Sequence, residues 1–280
     1  MAYLKHFSGF LSILTLLTLL NGTNVSAELA PLKLRPAFKS AATTLKNQKY
    51  VETYYTNKLQ ELGIQLRPGA LHRSDSKPTL ESSKRCKSVV YKTLLELPYS
   101  HRNQLANLTL FYTADGRRGL GGGNSIILRC NNVTDEELSS VFVHEIGHLV
   151  DDTLLFGTRG IESGFHDFET PIYTDDPSAY FYKISWLSEK ITRQNSNSLD
   201  FVSLYAMTDP FEDFAETYTY FRFHGPEFRR LAKSNSALQQ KYNFMKNYVF
   251  YGQEFGDISN SIDINVWTRN YDVTILPVTS

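Results

Sequence analysis

The sequence predicts an α+β fold with a small mixed sheet, a central helix and a mostly helical C-terminal part, and three stretches carry that expectation. "NLTLFYT" (107–113) and "NSIILRC" (124–130) are short, rich in β-branched and aliphatic residues, and read as strands. "VTDEELSSVFVHEIGHLVDD" (133–152) follows at once and reads as a helix. Thr134 with Glu137 three residues later forms a capping box, and Leu138, Val141, Phe142, Ile146 and Leu149 return at helical spacing. "TDPFEDFAE" (208–216) reads as another helix start, with Asp209 as N-cap, Pro210 at the first helical position and Glu212 three residues after the cap.

From the beginning of the chain, residues 1–27 read as a signal peptide: Lys5 in a short basic region, an apolar stretch from about Phe10 to Leu20, and the small-residue cleavage site Val25-Ser26-Ala27. That stretch is too short to span a bilayer comfortably and no second one follows. The expectation is a secreted or periplasmic protein with no membrane anchor after cleavage. Residues 28–105 read as an N-terminal helical region. A surface leader with Pro31 and Pro36 runs to about residue 45, a helix from about Gln48 to Leu62 ends at Gly63, and another from about Leu80 to Leu97 ends at Pro98. "RPGALHRSDSKP" (67–78) is the loop between them.

The central part, 106–250, holds the two strands and, between them, the polar, glycine-rich "ADGRRGLGGG". After the central helix the periodicity breaks down, predicting an ordered loop that could wall a cleft, and then a helix from about Pro177 to Thr192. The acidic residues Glu162, Asp167, Glu169, Asp175 and Asp176 of that loop read as solvated surface or as substrate contacts. A further helix is predicted from about Pro226 to Val249, and the tail, 251–280, reads as strand or irregular, with "INVWTRNYDVTILPV" as a candidate hairpin.

The net charge is zero, with 29 basic and 29 acidic residues, which gives no footprint for nucleic acid or an anionic membrane. Cys86 and Cys130 are the only cysteines, and an even pair in an oxidising compartment predicts one disulfide. Asn107-Leu-Thr and Asn132-Val-Thr fit the glycosylation acceptor pattern.

The chemistry-bearing stretch is "HEIGH" (144–148). Residues i and i+4 share a helical face, so His144 and His148 can converge on one ion while Glu145 sits beside it. Two neutral imidazoles suit Zn²⁺, a third protein ligand leaves one position for water, and a neighbouring carboxylate can take that water's proton. In a chain of 280 residues with 7 histidines the pattern arises by chance about once in a hundred, so it needs a third ligand. A metzincin continuation is excluded, because its glycine and histidine positions hold Asp151 and Leu154. His166 is one candidate ligand. "EDFAE" is the other source: Glu212 and Glu216 share a helical face, so one can bind the ion while its neighbour hydrogen-bonds a ligand histidine.

"HEIGH" together with "YAMTDPFEDFAE" (205–216) resembles the gluzincin zinc metallopeptidases related to the anthrax lethal factor catalytic domain and the Pro-Pro endopeptidases. The resemblance implies a zincin-like fold and a secreted endopeptidase that hydrolyses peptide bonds with one catalytic Zn²⁺. It implies His144, His148 and Glu212 as ligands, Glu145 as general base, Tyr205 as oxyanion stabiliser and Glu216 as the carboxylate behind a ligand histidine. Less specifically, it extends over about 108–223 and implies that "GLGGGNSIIL", with Gly121, Gly122, Gly123 and Asn124, docks an extended peptide at a sheet edge. A plain hairpin turn is the other reading of those glycines. The stretch between His148 and Glu212 is longer than in the small Pro-Pro endopeptidases, so the resemblance carries the chemistry and not their Pro-Pro specificity. A monomer acting on protein or peptide substrates is expected. The competing class is a catalytically inactive, peptidase-like binding or toxin-type interaction protein.

Overall fold

The computed structural model describes residues 36–69, 78–113, 116–256 and 271–278. The expected signal peptide and residues 264–270 of the expected C-terminal hairpin lie outside the described residues, and the rest of that hairpin, 271–278, forms no strand. The chain divides into two compact units, Met1–Ala41 and Ala42–Ser280, and everything below concerns the second unless α1 is named.

Helix α1 spans Pro36–Glu61, beginning about three turns before the expected Gln48. Its opening residues are rich in alanine and lysine, and Pro36 suits a first helical position, where its missing N–H would have had no partner. Strand β1 (Gln65–Pro68) takes the first residues of the expected loop. Helix α2 (Leu80–Leu95) is capped by Thr79, whose hydroxyl accepts from the Ser82 amide, and a single turn, α3 (Tyr99–Arg102), follows Pro98. Strands β2 (Asn107–Phe111) and β4 (Ser125–Arg129) fall where expected, and between them Gly119–Gly122 forms β3.

These strands form one sheet in the order β1-β2-β4-β3, with β1, β2 and β4 parallel and β3 antiparallel at the edge. Gly123, at φ 55°, makes with Asn124 the two-residue turn into β4. The expected disulfide Cys86–Cys130 is present, with a Cα–Cα distance of 5.7 Å, and ties α2 to the residue after β4.

Helix α4 (Asp135–Leu149) starts at Thr134, whose side chain accepts from the Glu137 amide at 3.1 Å. Glu137 does not complete the capping box but pairs with Arg118 across to β3. The helix is shorter than expected: Val150–Leu154 widen into a π turn that sends Asp151 inward, where it accepts from the buried Tyr182 hydroxyl at 2.6 Å.

The loop expected after α4 contains a hairpin, β5 (Glu162–Asp167) and β6 (Thr170–Tyr173). Asp176, expected on the surface, is buried and accepts from the Ser178 and Gly157 amides. The helix expected to run from about Pro177 to Thr192 stops early: α5 is Ser178–Ser185, and β7 (Trp186–Ser188) pairs with β8 (Ile191–Thr192). Trp186 turns extended because its buried indole N–H donates to Asp213 at 3.0 Å, a tertiary bond that helical periodicity cannot register.

Helix α6 (Pro210–Phe223) begins as expected, with Asp209 accepting from the Phe211 and Glu212 amides. The single helix expected at 226–249 is two, α7 (Gly225–Ala232) and α8 (Ser236–Phe244), because the Asn235 side chain caps a new start by accepting from the Leu238 amide. A π turn at Met245–Val249 closes α8. Within 271–278 the chain makes a 3₁₀ turn, Val273–Ile275.

The core gathers where α4 packs on α6. Gly147 makes the close crossing possible: a Cβ there would lie 3.1 Å from the Ala215 Cα. On the far side of α6, Asp213 and Lys241 form an ion pair at 2.6 Å with both side chains fully buried, and Lys241 also donates to the Asp200 carbonyl. No helix among the described residues is long and apolar enough to cross a membrane.

Candidate metal centre

Because Gly147 lets α4 approach α6, the two histidines of one helix face the first turn of the other. The ligating atoms of His144, His148 and Glu212 all lie within 4.8 Å of one another, so the three could hold a metal ion. Glu212 Oε2 stands 3.1 Å from His144 Nε2 and 3.5 Å from His148 Nε2, while Oε1 accepts from the Tyr205 hydroxyl at 3.0 Å. The donor set, two imidazoles and a carboxylate, fits a borderline divalent cation. His166, the other candidate ligand, lies on β5 opposite Pro171 and is not part of this group.

Glu216, one turn on, is fully buried behind His144 and accepts from its Nδ1–H at 3.0 Å. That bond leaves the Nε2 lone pair of His144 directed at the centre of the group. Its other oxygen accepts from the Ser203 hydroxyl at 2.6 Å and the Val273 amide at 2.8 Å. A carboxylate with three donors in the core is a fixed anion, and it orients the imidazole.

The charges follow this arrangement. Burial would lower the His144 pKa, but hydrogen bonds to Glu212 and Glu216 outweigh it and hold the pKa well above the ordinary histidine value. Burial would raise the Glu212 carboxyl, yet hydrogen bonds from His144 and His148 hold it below the usual carboxylate range. Surroundings that favour a proton between these groups favour a metal cation in its place.

The Glu145 carboxylate lies close against Gly119 and Gly121 of β3. Burial raises its pKa, opposed by the charges of His144 and His148 and by a backbone hydrogen bond from Gly121. Burial and then the negative charge of Glu212 raise the Tyr205 hydroxyl, so it stays protonated and remains a donor. Glu145, Tyr205 and the ligand group line one cleft of about 380 Å³, walled by Arg117–Gly121 on one side and by Tyr271, Asp272 and Thr274 on another.

Of the four expected docking residues, Gly121 lines this cleft; Gly122 ends β3, and Gly123 and Asn124 form the turn beyond it. The Gly123 amide donates to Asp152 at 2.9 Å, fastening that turn to the end of the ligand-bearing helix.

Sequence reading missed Ser203, the Arg118 link to Asp272, and residues 271–274. Ser203, two residues before Tyr205, left a weak signal. Tyr271 and Val273 left none, because they act through main-chain groups. Compared with known proteins, the chain matches no family model, no curated protein and no solved structure.

Proposed function

We propose that the chain is a secreted zinc-dependent endopeptidase. The observation that carries this reading is the convergence of His144, His148 and Glu212 beside a buried glutamate, Glu145, on the wall of a cleft edged by a strand. Two imidazoles and one carboxylate are a zinc donor set that leaves a position open, and the ion, when bound, supplies Lewis-acid polarisation of the scissile carbonyl.

Glu145 takes the proton of the attacking water and passes it to the leaving amine, a task that its raised pKa suits. Tyr205, kept protonated by its surroundings, turns its hydroxyl from Glu212 to the developing oxyanion, an effect typically worth about 3 kcal/mol. An extended peptide adds to the outer edge of β3. The Arg129 amide donates to the Arg118 carbonyl, and the antiparallel alternation then turns the N–H and C=O of Gly119 and the C=O of Gly121 away from β4, while the Gly121 N–H donates to Glu145. The disulfide suits an oxidising compartment.

The test is Glu145→Gln, assayed for zinc by metal analysis and for hydrolysis of a peptide library. Zinc retained with cleavage lost supports the reading. Cleavage by the purified variant at the wild-type rate would remove Glu145 from its role.

A further inference from the structure

Residues 271–278 supply no metal ligand and none of the groups given a chemical step above, yet they touch three parts of the site. The Val273 amide donates to Glu216 Oε2 at 2.8 Å, and the Tyr271 carbonyl accepts from the Tyr205 amide at 2.6 Å. Asp272 pairs with Arg118, at the head of β3. The segment is itself fixed: Asp272 caps its 3₁₀ turn by accepting from the Thr274 amide and hydroxyl at 2.7 and 2.6 Å, and Val273 is fully buried.

We propose that this strap is a positioning element of the metal site, with the Val273 amide holding Glu216 and, through Glu216, the His144 imidazole in its ligating orientation. The inference rests on the zinc reading and deepens it. A fully buried carboxylate needs donors on both oxygens, or it carries an uncompensated charge. Glu216 Oε1 is taken by His144, and Oε2 by Ser203 and Val273. The serine hydroxyl can rotate away, whereas a backbone amide inside a capped turn cannot. Val273 is therefore the donor that fixes the carboxylate plane, and the imidazole follows it. The Tyr271 carbonyl does the same for the backbone of Tyr205, so one segment sets both an imidazole and a phenol.

The decisive variant is Val273→Pro. Val273 is the first residue of the 3₁₀ turn, where proline is accepted, and Asp272 before it is extended at φ −147° and ψ 134°, as a residue preceding proline must be. The substitution deletes the N–H and leaves the backbone path. Val273→Ala keeps the N–H and measures what the lost side chain alone costs. Zinc affinity, read by competition with a chromophoric chelator, is expected to be at least about tenfold weaker in Val273→Pro than in Val273→Ala. The ligand-field absorption of the cobalt-loaded protein, which reports ligand orientation, is expected to change in the proline variant relative to the alanine one. Equal affinity and equal spectra in the two variants overturn the inference.

Should Val273→Pro fail to fold, Asp272→Ala carries the test, since it frees the strap from Arg118 and removes its cap. A loss of about tenfold is expected there too, and wild-type affinity overturns the proposal. A wild-type protein that binds no zinc sinks the metal reading and this inference together, an outcome distinct from equal binding by the variants.

Discussion

Gly119 lies against the Glu145 carboxylate so closely that a Cβ on it would overlap Oε1, and a Cβ on Gly121 would stand 2.7 Å from the Glu145 carbonyl oxygen. The two glycines face the helix and Leu120 faces out, so the alternation of β3 is set by the need for bare backbone beside Glu145. The clash at Gly119 is with the end of a side chain and the clash at Gly121 is with main chain. Gly119→Ala is therefore expected to displace the carboxylate, lowering peptide hydrolysis at least about tenfold with little loss of stability. Gly121→Ala is expected to shift strand from helix and to cost about 1–3 kcal/mol in denaturant unfolding as well. Unchanged activity in both variants would separate β3 from the chemistry.

Glu216→Gln tests the carboxylate behind His144. An amide group would place a donor against at least one of three donors, from His144, Ser203 and Val273. Zinc affinity is expected to fall about 10–100-fold while His144, His148 and Glu212 remain in place. Chelator competition measures it, and wild-type affinity would show that the histidine needs no such support.

His101 provides a pH dependence away from the cleft. Its Nε2–H donates to the Val249 carbonyl, so Nδ1 accepts from the Tyr218 hydroxyl, each at 2.8 Å. Burial pushes its pKa down from 6.5 to about 4. As pH falls through 6.5 the unfolded chain takes up this proton before the native protein does. Stability is therefore complete above pH 6.5 and declines towards pH 4, by about 3 kcal/mol in all. Urea unfolding of wild type and His101→Asn at pH 7.5 and 4.5, both with a metal chelator, isolates this group. The wild type is expected to lose about 2–3 kcal/mol more than the variant between those pH values, and parallel losses would contradict the assignment.

The buried pair Asp213–Lys241 anchors α6 against α8. Lys241→Met leaves the Asp213 carboxylate in the core with Trp186 and Thr217 as donors and no counter-charge. A loss of about 3–5 kcal/mol is expected. The double variant Lys241→Met with Asp213→Leu should recover at least about 1 kcal/mol of it, because removing both charges is less costly than stranding one. A double variant no more stable than the single one would mean that the tryptophan bond, rather than the charge, dominates.

What could be read in advance divides by distance along the chain. The start of α6 was legible because Asp209, Pro210 and the two amides that Asp209 caps are neighbours, and "HEIGH" was legible because one helical turn brings its parts together. Strand β3 was not legible in its own residues, since glycines have little intrinsic preference for a strand, and only the family resemblance put that segment at a sheet edge. It exists because β4 pairs with it and because only glycine fits against Glu145. The extended turn at Trp186 depends on Asp213, 27 residues on, and the break at Asn235 on a side chain that caps what continuous periodicity had joined. The tail was least legible of all, because Tyr271 and Val273 act through a carbonyl and an amide that nearly every residue type provides, and Asp272 pairs with a residue 154 positions away.

The Arg118–Asp272 pair closes a span of 154 residues, and the last donor to Glu216 comes one residue later. Such a contact must form late, after most of the chain has lost its freedom. A chain whose synthesis is halted between residues 216 and 273 already holds His144, Glu145, His148, Glu212 and Glu216, yet lacks the amide that completes the cradle behind them. On this order of assembly, the His144 imidazole gains its last indirect support only after synthesis has passed the strap.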